Sequence, residues 1–149
     1  MGTTTLNRSV LVDTQIMGIV TDALGTNAGD YSSDTDLGKG VVLGASAYVA
    51  AAKDDEIEGI VSSIESGTRN GGFNWGGVQT KGRAEVVVGA SQVGNIAVGD
   101  YVVNDTPIAL GTAGGIRVYA GAPTKFLWRV IRIVSGTGAA GDTVIIERV

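Results

Sequence analysis

The sequence predicts a mainly β protein, a small antiparallel β-barrel or sandwich with an extended, loop-rich N-terminal arm. Three observations support this fold class: short runs rich in Val and Ile recur from about residue 38 onward, clusters of Gly, Asp, Asn or Thr separate them, and 24 of the 149 residues are Gly. Short apolar runs between turn residues are typical of barrels and sandwiches. We therefore expect an N-terminal arm and loop over residues 1–36 and one β-barrel domain over residues 37–149.

Seven segments are candidate strands of the barrel: residues 41–43, 56–64, 83–88, 100–103, 116–120, 126–134 and 143–149. Gly59 lies inside the second of them, and a glycine within a strand can mark a bulge. Residues 45–53 are rich in Ala, which favours helices, but the segment is short and lies between strands, so we expect an extended conformation. Residues 91–97 contain Gly94 and Asn95, which interrupt any periodicity and favour a turn or a single helical turn.

The strongest candidate strand, residues 126–134, is largely apolar on both faces. Strict alternation would place Arg132 on the same face as Val130, and Ile133 on the opposite face. A Gly-rich turn joins this strand to the last one. We therefore expect the two strands to pair antiparallel as a hairpin.

Residues 136–141, inside that turn, match the G-x-G-x-x-G pattern of dinucleotide-binding loops. In such loops a helix follows the glycines, and an acidic residue about 20 positions later binds the ribose. Here the final strand follows directly and the chain ends too soon. The match therefore predicts a hairpin turn and no bound cofactor.

The first 36 residues are mostly polar, with apolar islands at residues 10–12 and 16–20. A polar segment with embedded apolar anchors is typical of an arm that becomes ordered on a partner. The candidate partner-binding residues of this arm are Leu6, Arg8, Val10, Leu11 and Val12.

The Gly-rich segment at residues 69–77 is the most unusual loop that the sequence predicts, because it carries two aromatic rings among four glycines. Large exposed rings contribute much of the binding energy at protein interfaces. Alternatively, the loop folds back and packs its rings on the barrel, and the sequence leaves both interpretations open. The candidate partner-binding residues here are Arg69, Phe73 and Trp75.

The chain contains no His and no Cys, so it lacks the usual general base near neutral pH, the thiolate nucleophile and the softer metal ligands. Asp30, Asp34 and Asp36 resemble part of a calcium loop, but the later ligands of such a loop are missing. We therefore predict a protein that is not an enzyme, with no catalytic residues, no metal site, no cofactor and no small-molecule substrate.

The net charge of −4 argues against nucleic-acid binding, because proteins that bind phosphates without sequence preference need clustered Lys and Arg. No apolar run is long enough to span a membrane, and we predict no membrane partner. Residues 1–66 carry three basic and ten acidic side chains, whereas residues 67–149 carry eight basic and five acidic ones. Such opposite charges attract within one fold or between neighbouring copies, and we expect the former.

Four short runs, taken in order, resemble those of bacteriophage head decoration proteins, also called capsid cement proteins. The runs are LGKGVVL at residues 37–43, YVAAAKDDEIEGIV at residues 48–61, KGRAEVVV at residues 81–88 and VGDYVV at residues 98–103. The order of these motifs carries the resemblance, which extends loosely over residues 37–149. The arm at residues 1–36 does not align with the family.

This resemblance implies a small barrel that binds the outside of an assembled icosahedral capsid, often as a homotrimer at threefold sites, and resists the pressure of packaged DNA. Its partner would be the major capsid protein, and its location the exterior of the virion after synthesis in the host cytoplasm. The alternative function is a phage tail or baseplate module, or a carbohydrate-binding β domain in which Phe73 and Trp75 stack on a sugar.

Overall fold

The computed structural model describes residues 19–25, 31–32, 36–65, 74–106, 115–121 and 124–149. These residues form ten β-strands and no helix. The strands are β1 (Ile19–Leu24), β2 (Gly40–Leu43), β3 (Tyr48–Ala50), β4 (Gly59–Ile64), β5 (Asn74–Gln79), β6 (Arg83–Val88), β7 (Tyr101–Asp105), β8 (Gly115–Val118), β9 (Trp128–Ile133) and β10 (Thr143–Arg148). The prediction of a mainly β protein with barrel architecture is confirmed.

The first five strands close into a barrel in the order β1-β3-β2-β4-β5. Strand β1 pairs parallel with β3 and antiparallel with β5, and the other neighbours pair antiparallel. Closure satisfies the backbone groups that an open sheet would leave free at its edges.

The last five strands close into a second barrel in the order β10-β6-β8-β7-β9. Strand β6 pairs parallel with β8 and antiparallel with β10, so each strand occupies the place that its counterpart has in the first barrel. The chain is therefore a tandem of two barrels with one topology, where the sequence had predicted one barrel.

The two barrels also share a β-bulge at the same place. In the first barrel the extra residue is Ser62 of β4, opposite β5. In the second barrel it is Ile131 of β9, opposite β10. A bulge bends and twists its strand, which helps a small sheet to close.

The turn that enters β2 is repeated at the entrance to β7. Gly38 and Gly99 have φ angles of 84° and 101°, a region that L side chains rarely adopt. Gly38 N donates to Val61 O, and Gly99 N donates to Val130 O, both at 2.8 Å. The repeat therefore includes loop geometry as well as strand order.

The shared pairing registers define which residues of the two barrels are equivalent. The equivalent pairs used below are Gly40 and Tyr101, Leu43 and Asn104, Val49 and Arg117, Gly59 and Trp128, Gly76 and Val144, and Gly77 and Ile145.

Residues 19–24, which we expected to belong to the arm, form β1 and pair with β5 at six positions. Residues 19 and 20 of the second apolar island begin this strand, and without the strand the first barrel would lack its closing partner for β5. The remainder of the predicted arm up to residue 18 lies outside the described residues.

The segment predicted as a loop over residues 69–77 contributes its last part to β5. Glycine is unfavourable within strands, so Gly76 and Gly77 led us to predict a loop where the structure has a strand. The barrel requires glycine at Gly76, since a Cβ there would collide with the backbone oxygen of Ser63.

Gly59 is not the bulge that the sequence suggested, because the bulge lies at Ser62. Glycine is needed at Gly59 for another reason: a Cβ there would collide with Val78. At the bulge, two serine hydroxyls of β4 bond to the backbone of Gly77 on β5. Ser62 Oγ donates to Gly77 O and Ser63 Oγ accepts from Gly77 N, both at 3.0 Å.

The bulge at Ile131 also corrects the predicted faces of the strongest strand. Up to Val130 the alternation holds, but the extra residue then shifts the phase by one. Ile133 consequently packs against the core of the second barrel and Arg132 is exposed, the reverse of strict alternation.

The other local predictions agree with the structure. Each of the seven candidate segments contains a strand, and β3 confirms the extended conformation expected within residues 45–53. The antiparallel hairpin of β9 and β10 is confirmed.

Candidate interaction surfaces

Most of the predicted partner-binding residues lie outside the described residues. These are Leu6, Arg8, Val10, Leu11, Val12, Arg69 and Phe73. The structure describes the remaining one, Trp75, in β5.

Trp75 lies on the outer face of the first barrel. Asn74 and Val78, on the opposite face of the strand, are buried in the barrel, whereas Trp75 is half-buried. Its indole Nε1 is buried and has no hydrogen-bond partner in the described part of the chain. A ring in this position can stack on a flat partner group such as a sugar.

The first barrel contacts the second through residues 51–58, the loop that connects β3 to β4. We call this segment the joint loop. Asn104 of β7 donates from its side chain to Ala51 O at 2.8 Å. Its backbone N donates to Asp55 O at 3.0 Å, and its backbone O accepts from Asp54 N at 2.9 Å. Asn104 is therefore the receiving position for the joint loop on the second barrel.

At the joint, acidic side chains from residues 1–66 lie close to basic side chains from residues 67–149. Asp54 forms a salt bridge with Arg117 of β8. Arg148 donates from Nη1 to Glu58 O at 3.0 Å. Burial lowers the pKa of Arg148, and the nearby carboxylates of Glu58 and Glu56 oppose this shift. Part of the charge asymmetry is thus balanced within one chain, as we expected.

Glu56 fastens the joint loop to the loop that precedes β9. Its carboxylate accepts hydrogen bonds from the backbone N and the hydroxyl of Thr124, from Lys125 N at 2.7 Å and from Phe126 N at 2.9 Å. These bonds, with that from Thr124 N as the largest, outweigh desolvation and lower the pKa of Glu56 to about 2. The carboxylate therefore stays ionised while the joint is intact.

Trp128 supports the joint from the second barrel. Its side chain is fully buried, and its Nε1 donates to Ile57 O at 2.9 Å. Ile57 and Ile60 belong to the core cluster of the second barrel. The Arg148 guanidinium lies 4.6 Å from the ring centre of Phe126, within cation–π range. The joint is therefore a core to which both barrels contribute residues.

The loop between β6 and β7 holds exposed apolar side chains in fixed positions. Val93 is 92% exposed and Val98 is 63% exposed. Gln92 fixes the loop by accepting from Val118 N at 2.9 Å and by donating to Val93 O at 3.0 Å, while Ile96 is buried in the core. A preordered loop loses little entropy when it binds, so this one suits protein contact.

The first barrel leaves Leu43 exposed at its receiving position. Leu43, the last residue of β2, is 55% exposed, and its backbone N donates to Glu58 Oε2 of the joint loop at 2.9 Å. Leu43 pairs with Tyr48 and Val49 pairs with Val42, so Leu43 and Val49 lie on opposite faces of the two strands. Their counterparts in the second barrel are Asn104 and Arg117, which bind the joint loop.

The Gly-rich turn between β9 and β10 contains a carboxylate of its own. Asp142 Oδ2 accepts from Thr137 N at 2.8 Å and from Gly138 N and Ala139 N at 2.9 Å. These bonds, with that from Thr137 as the largest, lower the pKa of Asp142. The N–H groups that a dinucleotide phosphate would need are occupied, and the predicted hairpin turn is confirmed.

Within the described ranges, no group of three acidic side chains lies close enough to hold a metal ion. In the same part of the chain, no helix is long and apolar enough to cross a membrane.

Sequence reasoning missed the joint, although a signal for the repeat was present. Residues 36–42, DLGKGVV, correspond to residues 97–103, AVGDYVV, in the two equivalent turns. The tripeptide SGT also occurs twice, at residues 66–68 after β4 and at residues 135–137 after β9. Alignment of the chain with itself could have found the equivalent positions.

Comparisons of the chain with protein-family models, with curated proteins and with solved structures each gave no match.

Proposed function

We propose that this protein is a structural virion protein that binds the outer surface of an assembled phage capsid and stabilises it, as a trimer at threefold sites. Its partner is the major capsid protein. The observation that carries the proposal is the fusion of two closed barrels through a shared core, with Trp128 buried in the joint. A stiff body of this kind can bridge neighbouring capsid subunits and resist their separation. The role requires no catalysis and no cofactor.

Two further features support attachment to a shell. The motif order from residue 37 onward resembles that of capsid decoration proteins, and Val93 and Val98 are exposed on an ordered loop. Several weak contacts, repeated by the symmetry of a capsid, give an avidity that a single contact lacks.

Co-sedimentation with expanded capsids of the phage that encodes the chain tests this function. We expect the full chain to pellet with the capsids and to raise their thermal dissociation temperature. A variant lacking residues 1–12 should keep the β spectrum of the folded barrels and lose capsid binding, because the apolar anchors of the arm are removed. Failure of the full chain to pellet contradicts the function, and unchanged occupancy by the truncated chain contradicts the role of the arm.

Trp75 supports a second candidate, the carbohydrate-binding module. Its half-buried ring lies on the outer face of β5, where a sugar ring can stack on it. A glycan array probed with the full chain and with Trp75→Ala distinguishes the two functions. A specific signal that Trp75→Ala abolishes and Val93→Ala retains favours sugar binding, whereas no specific signal favours the capsid role.

A further inference from the structure

A four-residue turn leads into β2 of the first barrel and an equivalent one leads into β7 of the second. The two turns are residues 36–39 and 97–100, which directly precede the equivalent Gly40 and Tyr101. In each turn the backbone N of the fourth residue donates to the carbonyl O of the first at 3.2 Å. The third residue is the glycine with positive φ described above. We call residues 36–39 and 97–100 the paired turns.

The neighbouring strand holds each of the paired turns by two backbone bonds. Val61 of β4 accepts from the third residue of the first turn at 2.8 Å and donates to the fourth at 3.0 Å. Val130 of β9 does the same in the second turn, at 2.8 and 2.9 Å. The second residue of each turn, Leu37 or Val98, is therefore presented from a fixed backbone.

Both paired turns expose a large apolar side chain at this second position. Leu37 is 40% exposed and Val98 is 63% exposed. A single exposed apolar side chain is normal on a protein surface and needs no functional explanation. The same feature at the same position of two barrels is more informative, because the barrels differ at many other positions.

Two other exposed apolar side chains show this difference. Leu43 is 55% exposed, and its equivalent is the polar Asn104. Val134 is 41% exposed and directly follows β9, whereas the residue that directly follows β4 is the exposed Glu65. Exposed apolar character has thus been kept at the paired turns while it differs elsewhere, which indicates that the two turns have the same use.

We propose that Leu37 and Val98 are two equivalent contact points, through which one chain binds two neighbouring copies of the same partner protein. The inference rests on the proposed function, in which the partner is the major capsid protein. Two like turns fit two like surfaces, and a capsid presents one surface in many symmetry-related copies. Because the joint connects the barrels, one bound chain links two capsid subunits, and both contacts must break before it dissociates.

Photocrosslinking tests whether the two contacts are equivalent. An amino acid with a diazirine side chain replaces Leu37 in one full chain and Val98 in another, and each chain is irradiated on expanded capsids of the phage that encodes it. Mass spectrometry then identifies the crosslinked peptides. We expect both positions to crosslink to the same segment of the capsid protein. Crosslinks to two different segments, from one position alone, or to another copy of this chain overturn the proposal.

Binding to the same capsids gives a second test. Leu37→Ser and Val98→Ser should each raise the dissociation constant about tenfold, because each removes one apolar side chain from a contact that excludes water. The double variant should raise it about a hundredfold if the two contacts are independent. Val134→Ser is the matched control, since Val134 is as exposed as Leu37 and lies outside the paired turns. It should bind like the wild-type chain.

The outcomes separate this proposal from the capsid function. All these side chains are exposed, so every variant should unfold in urea as the wild-type chain does, and a loss of binding then reports the contact itself. If the wild-type chain binds capsids and the variants at the paired turns bind equally well, the paired contacts are wrong and the capsid function stands. If the wild-type chain does not bind capsids, both are wrong.

Discussion

The two barrels share strand order, register and bulge, yet they are packed differently. The core cluster of the first barrel is small, while that of the second includes Trp128 and also takes in Ile57 and Ile60 from the first. Four positions that are glycine in the first barrel have large side chains at the equivalent positions of the second. The glycines are Gly40, Gly59, Gly76 and Gly77, and their equivalents are Tyr101, Trp128, Val144 and Ile145.

This difference teaches that one backbone pattern can be stabilised in two ways. The first barrel brings its strands and neighbouring side chains so close together that Gly59 and Gly76 have no room for a Cβ. The second fills its interior with large side chains, and one of them, Trp128, also holds the joint. We therefore expect the stability of the joint to depend on the second barrel.

The largest expected effect is that of Trp128→Ala, which removes the fully buried ring and its bond to Ile57 O. Loss of such a ring should lower the free energy of unfolding by about 4 kcal/mol, measured by urea denaturation. The matched control is Trp75→Ala, which removes a half-buried indole without a hydrogen-bond partner among the described residues and should lower it by about 1–2 kcal/mol. Equal decreases in the free energy of unfolding for the two variants would contradict the expectation that the stability of the joint depends on the second barrel.

The next effect tests whether close approach determines the packing of the first barrel. Gly76→Ala should lower the free energy of unfolding by about 3 kcal/mol, because its Cβ collides with the Ser63 backbone oxygen. Gly94→Ala is the control, since its φ of 73° is strained for Ala but its Cβ meets nothing within 4 Å. Gly94→Ala should lower the free energy of unfolding by about 1 kcal/mol. If Gly76→Ala is no worse than Gly94→Ala, glycine at this position is not required by contact.

The smallest effect concerns the acid stability of the joint. Folding lowers the pKa of Glu56 from 4.5 to about 2, so its contribution is complete above pH 4.5 and is lost as the pH falls toward 2. Glu56→Gln should lower the free energy of unfolding by about 1 kcal/mol at neutral pH and make its decline with acid shallower.

Urea denaturation across this pH range measures the effect of Glu56, and Glu85→Gln, an exposed glutamate on β6, is the control. If Glu56→Gln and the wild-type chain lose stability with acid in parallel, the carboxylate does not hold the joint.

The sequence was a good guide where a strand consists of β-branched residues, and β6 is found at the predicted residues 83–88. It failed at β5, because Gly76 and Gly77 have no side chain whose burial would mark a strand. It also missed the joint, since the bonds that residues 124–126 donate to the Glu56 carboxylate connect segments far apart in the chain. The bulges at Ser62 and Ile131 arise from pairing between strands, which no single segment encodes.

Electron cryomicroscopy of expanded capsids incubated with the full chain tests the central claim most directly. We expect density on the outer capsid surface in which each copy has two lobes, one for each barrel. Capsids that remain bare at saturating protein would contradict it.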